Sequence, residues 1–383
     1  MIAEADVLDP RHYAGIRRPL LEAETLPPEA YTSQAFYDRE VETIFRRIWN
    51  FVGREDRIPE PGDYFAFDFV GIPVVVVRGH DRKVRAFANT CRHRGARVMH
   101  GEGRCTVMSC PYHAWTYTLE GRLLGAPQME DTVGFDKKHY GLVPLRLETW
   151  AGFMFLNFDA KAEPLTSFLG DLPQLLECYH FETMRCTRRV EYDIACNWKI
   201  YVENAMESYH VPTVHQQTIQ KQKRDHNPPI PSNGAYCGLF TRHTGSRALL
   251  PGAKGFPYIP TLTGQANEGT YYVLIYPSTM LGITYDCMWW LELHPQGPLR
   301  TKLIVGSCFP ETTVARPDFD ELIGNYYGRW DKSIKEDNDV SEIQQAGIAS
   351  PFARPGRFSF MEPLVHTIDN WVLDRVIGPA KAA

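Results

Sequence analysis

Between about residue 45 and residue 160 the apolar residues come in short runs, YFAFDFVGIPVVVVRG, TVMSC, WTYTLEGRLLG and GFMFLNF, cut by Gly, Pro and Asp. Short apolar or alternating runs bounded by turn formers are strands, so this stretch predicts a compact antiparallel β module. The period changes on both sides of it. Residues 34–51, 197–211 and 315–348 repeat their apolar positions at helical spacing, which predicts amphipathic helices. Between the last two helices, TYYVLIYPSTMLGITYD, CMWWLELHP and TKLIVGSCFP read as long neighbouring strands joined by turns. The pattern is α+β: a β module at 45–160 inserted into a larger domain made of N-terminal helices at 1–44 and the segment 161–383. In that larger domain helices cover a long antiparallel sheet.

Composition narrows the function without fixing it. The chain has 383 residues, 44% hydrophobic and 23% charged, with a formal charge of −5, which suits two domains of ordinary globular type. That charge gives no reason to expect nucleic acid, so a small-molecule substrate is the expectation. The start MIAEADVLDP has neither a basic end nor an apolar core, and no stretch approaches the roughly 20 apolar residues that span a bilayer. A cytoplasmic protein without a membrane partner is expected. Nine cysteines, an odd number, argue for metal binding or burial over disulfides.

Four residues then change the picture. Cys91-x-His93 is followed, after sixteen intervening residues, by Cys110-x-x-His113, two chelating loops bent by Gly95, Gly101, Gly103 and Pro111. A structural zinc accepts two thiolates and two imidazoles, and a Rieske [2Fe–2S] cluster takes two cysteines on one iron and two histidines on the other. Spacing alone leaves both open. Alternation within each loop favours the cluster, because each loop must give one sulfur to one iron and one nitrogen to the other. Cys105 and His100 fall outside the pattern, and Tyr112 and Trp115 are expected to shield the cluster. Arg92, Arg94, Arg97 and Arg104 surround it. A solvated basic face accounts for at least two of them, and steering of an acidic electron donor is the sharper reading.

A second set lies in NWKIYVENAMESYHVPTVH. This reads as a helix from Lys199 that Pro212 ends near Val211, with Ile200, Glu203, Glu207 and His210 on one stripe and His215 just beyond. Two histidines lack one carboxylate for the facial triad of mononuclear non-haem iron. In WDKSIKEDNDVSEIQQAGI, Asp337 shares a helical stripe with Trp330, Ile334, Ser341 and Ile348. Glu336, Asp339 and Glu342 point elsewhere on that helix, so Asp337 is the expected third ligand.

The motifs CRHRGA and CPYHAW, with WNFVGRE, GIPVVVVRG, NWK, EN, YH and PGRFSFMEPLVH, resemble the α subunits of Rieske non-haem iron oxygenases over nearly the whole chain. The resemblance implies a Rieske cluster on Cys91, His93, Cys110 and His113, and a mononuclear Fe(2+) on His210, His215 and Asp337. It further implies a homotrimer in which electrons cross from the cluster of one subunit to the iron of the next. They arrive from a separate NADH-dependent reductase with a flavin and an iron–sulfur centre, in some systems through a ferredoxin. Glu207 takes the place of the carboxylate, commonly aspartate, that links the two centres. Glutamate there resembles carnitine and glycine betaine monooxygenases, which oxidise beside a quaternary nitrogen and break a C–N bond. The breadth of the family puts hydroxylation of an aromatic substrate first and C–N cleavage second, with an electron carrier lacking the second iron as a distant third. Trp289, Trp290, Tyr272, Tyr276 and Tyr285 offer either an aromatic cage for a cation or plain core.

Overall fold

The computed structural model describes residues 2–216, 218–219 and 228–379. Its packing divides the chain into two units, Met1–Phe45 with Thr166–Ala383, and Arg46–Leu165. The sequence pattern puts these boundaries at 44/45 and 160/161.

In the inserted unit, strands β1 (Asn50–Arg54), β2 (Asp63–Phe69), β3 (Ile72–Arg78), β4 (Val84–Ala88), β5 (Glu102–Arg104), β9 (Pro144–Trp150) and β10 (Phe153–Asn157) form a sheet of order β1-β10-β9-β4-β3-β2-β5. A second sheet joins β6 (Met108–Ser109), β7 (Thr116–Tyr117) and β8 (Leu123–Gly125). The four valines of β3 explain its place at the centre. Alternate side chains of a strand leave by opposite faces, and Val75 and Val77 enter one core with Cys91, Cys110, Trp115 and Tyr117. Val74 and Val76 enter another with Phe65, Met154 and Leu156. The run of apolar periodicity at 34–51 is shorter as a helix than the sequence predicts. It is helical as α1 (Gln34–Glu40), continues as one wider turn over Val41–Phe45, and has become β1 by Asn50.

The larger unit is built on six antiparallel strands: β11 (Met184–Ile194), β12 (Tyr236–Arg242), β13 (Gly269–Ile275), β14 (Thr279–Ile283), β15 (Met288–Pro295) and β16 (Thr301–Pro310), in the order β11-β16-β15-β14-β13-β12. Every residue of β14 and β15 is buried. Two tryptophans side by side in β15 face opposite ways, and each lies over a glycine on the next strand, Trp289 opposite Gly282 and Trp290 opposite Gly306. A methyl group at either glycine would stand 2.2 Å or less from the indole. Those glycines are therefore the floor on which the rings lie flat. Helices α2 (Trp198–Ala205), α3 (Val211–Val214), α4 (Phe319–Ile348) and α5 (Pro363–Val376) belong to this unit, as does α1. Among the described residues no helix is long and apolar enough to cross a membrane.

Candidate active site

The two cysteine–histidine loops are closed by matching hydrogen bonds. Cys91 N–H donates to Ala96 O and Cys110 N–H to Trp115 O, while Gly95 N–H returns to Cys91 O and Ala114 N–H to Cys110 O. The fourth residue after each cysteine is left-handed, Gly95 in one loop and Ala114 in the other. Two loops of one shape present their donors in like pairs. The Nδ1 atoms of His93 and His113 face each other at 3.1 Å, and the thiols of Cys91 and Cys110 lie within hydrogen-bonding reach. Both cysteines are buried, whereas His93 is exposed and His113 half-buried. Burial, and then the neighbouring Cys91, push the Cys110 thiol above its usual range. Sulfurs below and nitrogens at the rim fit a two-iron cluster with one iron of each kind.

The surrounding residues divide. Trp115 is buried and stacks on the His93 ring with centroids 5.0 Å apart. Tyr112, expected to shield, is 56% exposed and lies against the His113 ring. Arg97 and Arg104 pair with Asp68 and Asp63. Arg92 reaches Gly141 O, and Arg94 lies over the Tyr112 ring. Tyr117, which no sequence pattern singles out, places its hydroxyl 3.3 Å from Cys91 Sγ.

The second set is held by a broken helix. Asn197 caps α2 by accepting from Lys199 N–H, and α2 then stops at Ala205, well short of the predicted Val211. The cause is Glu207: its carboxylate accepts the N–H groups of Tyr209 and His210, competing with the helix for the backbone. Pro212 does not end a helix but opens α3, where its missing N–H costs nothing. Glu203 consequently parts from Glu207 and turns into the core toward Tyr31.

His210 and His215 flank the single turn of α3, and α4 brings Asp337 against them. The Asp337 carboxylate stands 3.0 Å from His215 Nε2 and 3.7 Å from His210 Nε2, and one donor atom from each of the three residues lies within 4.8 Å of the others. The remaining ring nitrogens are held by other acids. His210 Nδ1 is 2.5 Å from Glu207, and His215 Nδ1 is 2.7 Å from Glu336. Such outer carboxylates fix the ring orientation and leave Nε2 for a metal. Glu336 therefore does not point elsewhere as predicted. It lies at the flank of the stripe, and it also accepts from Thr218. Asn204 donates to Asp337 Oδ1 at 3.0 Å, a further contact the sequence did not indicate. Burial opposes a charged His215, but Asp337 and Glu336 outweigh it and raise the His215 pKa. The pocket as built favours positive charge between these groups, which a ferrous ion would supply.

Beside this trio opens a cavity of about 110 Å³, sized for a small molecule. Tyr272, Trp289, Leu239, Met280 and Leu291 give it an apolar wall, and Arg329 and Ser333 of α4 line it as well. Only two of the five aromatic residues singled out in the sequence reach it. Tyr276 stacks on Trp371, Tyr285 on Tyr258, and Trp290 lies over Gly306.

A sulfur-and-imidazole pocket on one unit and a two-histidine, one-carboxylate pocket on the other define an iron-dependent redox enzyme that activates dioxygen. The comparisons agree: residues 181–378 match the family model of the ring-hydroxylating alpha subunit catalytic domain, and residues 48–145 match that of the Rieske [2Fe–2S] domain. The chain belongs to the ring-hydroxylating alpha subunit family, and is a Rieske non-haem iron oxygenase whose cofactors are a [2Fe–2S] cluster and a mononuclear iron. It is 28% identical over 363 residues to the chloroplastic choline monooxygenase of Spinacia oleracea, covering 92% of this chain and 79% of that one. Over 197 residues it is 37% identical to the carnitine monooxygenase oxygenase subunit of Escherichia coli K12, covering 51% and 53%. The quaternary ammonium Rieske monooxygenase CntA shares its fold at TM-score 0.79 and 23% identity over 98% of both chains. Naphthalene 1,2-dioxygenase from Rhodococcus does so at 0.77 and 19% identity, over 93% of this chain and 95% of that one.

Proposed function

We propose that this terminal oxygenase monooxygenates a quaternary ammonium compound at a carbon beside the nitrogen, after which the C–N bond breaks. The substrate, O2, two electrons and two protons give the hydroxylated product and water. Where the hydroxyl carbon bears the nitrogen, the C–N electron pair leaves with the amine, the hydroxyl loses its proton, and a carbonyl compound remains. The observation that carries the reading is Glu207. At this position the chain has the glutamate that resembles carnitine and glycine betaine monooxygenases, and relatives matched over much of the chain bear the names choline and carnitine monooxygenase. Hydroxylation of an aromatic ring has weaker support, a likeness of fold to naphthalene dioxygenase at 19% identity.

Cys91 and Cys110 would hold one iron of the cluster, His93 and His113 the other, and His210, His215 and Asp337 the mononuclear iron. When bound, the cluster supplies single electrons and the ferrous ion activates dioxygen. The chain's own residues do the rest. Glu207 and Glu336 hold the two imidazoles by Nδ1, Asn204 orients Asp337, and the wall of Tyr272, Trp289 and Leu291 keeps bulk water from the substrate. An electron carrier would need no such pocket. The same reading takes electrons from a separate NADH-dependent reductase with flavin and iron–sulfur centres, directly or through a ferredoxin, and has the chain work as a cytoplasmic homotrimer with Glu207 between the centres of adjacent subunits.

The test is turnover of the purified chain with a surrogate reductase and NADH, offered choline, γ-butyrobetaine, L-carnitine and naphthalene in turn. Product-coupled O2 and NADH consumption with an ammonium compound, and three irons per chain on metal analysis, are expected. A diol from naphthalene with no product from any ammonium compound would replace this reading with ring hydroxylation.

A further inference from the structure

Arg329 is 4% exposed and lines the cavity beside the metal trio. No carboxylate lies within salt-bridge distance of it among the described residues. Its Nη1 donates to Ser333 Oγ at 2.9 Å, and its guanidinium lies 5.4 Å from the centre of the Trp289 ring. One neutral hydroxyl and one indole recover only part of the hydration that a buried guanidinium loses. Asp337 acts on it favourably from beyond salt-bridge distance, and a second arginine, the half-buried Arg247, acts more weakly as a like charge. Burial pulls the Arg329 pKa down, yet a guanidinium in a protein keeps its proton. The cavity thus holds a permanent positive charge with one hydrogen-bond acceptor, Ser333 Oγ, among the described residues. Its acids, Glu207 and Asp337, stand against the histidines and outside salt-bridge distance of the guanidinium.

Arg329, Ser333 and Asp337 stand at i, i+4 and i+8 of one continuous helix, so all three face the cavity in a row. Arg329 and Asp337 are about 12 Å apart along the axis.

We infer that Arg329 and Ser333 form a carboxylate-binding subsite, and that the substrate carries an anionic group several bonds from the carbon that is oxidised. The inference shares with the proposed function only the use of this cavity as the substrate site. Together the two describe a zwitterion, its carboxylate on Arg329 and its ammonium group driven to the metal end by like-charge repulsion from the guanidinium. A ligand with a cation and no anion, such as choline, leaves Arg329 uncompensated.

The test measures equilibrium binding to the iron-loaded protein of γ-butyrobetaine, its methyl ester, choline and benzoate. γ-Butyrobetaine is expected to bind about 10- to 100-fold more tightly than its ester. Arg329→Met should abolish that difference, and Arg329→Lys should restore part of it. Because the buried guanidinium has no salt-bridged carboxylate without ligand, ligand-free Arg329→Met should melt no lower than the parent. A structural arginine would make it melt lower, and that result counts against the subsite. Equal binding of ester, choline and γ-butyrobetaine removes the subsite while leaving the quaternary ammonium reading intact. Arg329-dependent binding of benzoate without any ammonium ligand keeps the subsite and removes that reading. Failure of both carboxylates to bind refutes the inference.

Discussion

Tyr117 accepts the Arg92 N–H through its hydroxyl oxygen at 3.0 Å, which leaves its own proton to give to Cys91 Sγ. A hydrogen bond to a ligating sulfur withdraws electron density and stabilises the reduced cluster. Tyr117→Phe is therefore expected to lower the cluster potential by roughly 40 mV, the equivalent of about 1 kcal/mol for one electron. A redox titration followed by the paramagnetic signal of the reduced cluster checks this, and an unchanged potential would show that the hydroxyl serves packing alone. At this scale the sequence shows the proposed ligands better than their supports. Cys91, His93, Cys110 and His113 stand out because chelation requires short fixed spacings. Tyr117, Glu336 and Arg329 matter through partners that only folding brings near, and each alone reads as an ordinary strand or helix residue.

Helices α2 and α5 meet over a pair of buried acids. Burial pushes Glu203 up to about 7, against the ordinary 4.5 of an unfolded glutamate, although Tyr31, Asp369 and Lys199 all favour its charged form. Burial first, and then Glu203, raise Asp369 well above the usual range, so Asp369 holds the proton and donates it to Glu203. Below pH 4.5 Glu203 is neutral in both folded and unfolded chains. Between 4.5 and about 7 the folded state keeps a proton that the unfolded chain has released, so stability falls as pH rises through this window, by on the order of 1 kcal/mol per pH unit. Above about 7 the loss is complete and the contribution is flat. Urea midpoints measured from pH 5 to 7 are expected to fall for the parent, with a clearly shallower slope for Glu203→Gln. The same elements show where periodicity misleads. Glu203 and Glu207 share a helical stripe on paper, but the Glu207 carboxylate ends α2 by capturing backbone N–H groups, a competition that spacing cannot reveal. The long helix α4 was legible because Trp330, Ile334, Asp337 and Ser341 keep one face over its whole length. Strand β11 was not, since its MRCTRRVEYDI carries too many charges to resemble a buried strand.

For the whole molecule, the division into a β unit and an α+β unit follows from the change of period near both boundaries. Assembly leaves no such trace, because residues that join subunits in general look much like any other surface. The proposed trimer has a direct consequence. If electrons pass between subunits, a chain with Cys110→Ser and a chain with Asp337→Ala, each inactive alone, should regain part of the parent activity when unfolded, mixed and reassembled with iron and sulfide. Mixtures that stay as inactive as the separate variants would place the electron path within one chain.

The helix Phe319–Ile348 carries both the carboxylate proposed for the iron and the guanidinium proposed for the far end of the ligand. A rigid rod with both fixtures is a ruler. The distance between the atom attacked and the anion held is then graduated in steps of one helical turn, about 5.4 Å, so a change of ligand length calls for the arginine to hop along the rod by three or four positions while the oxygen-activating end stays untouched.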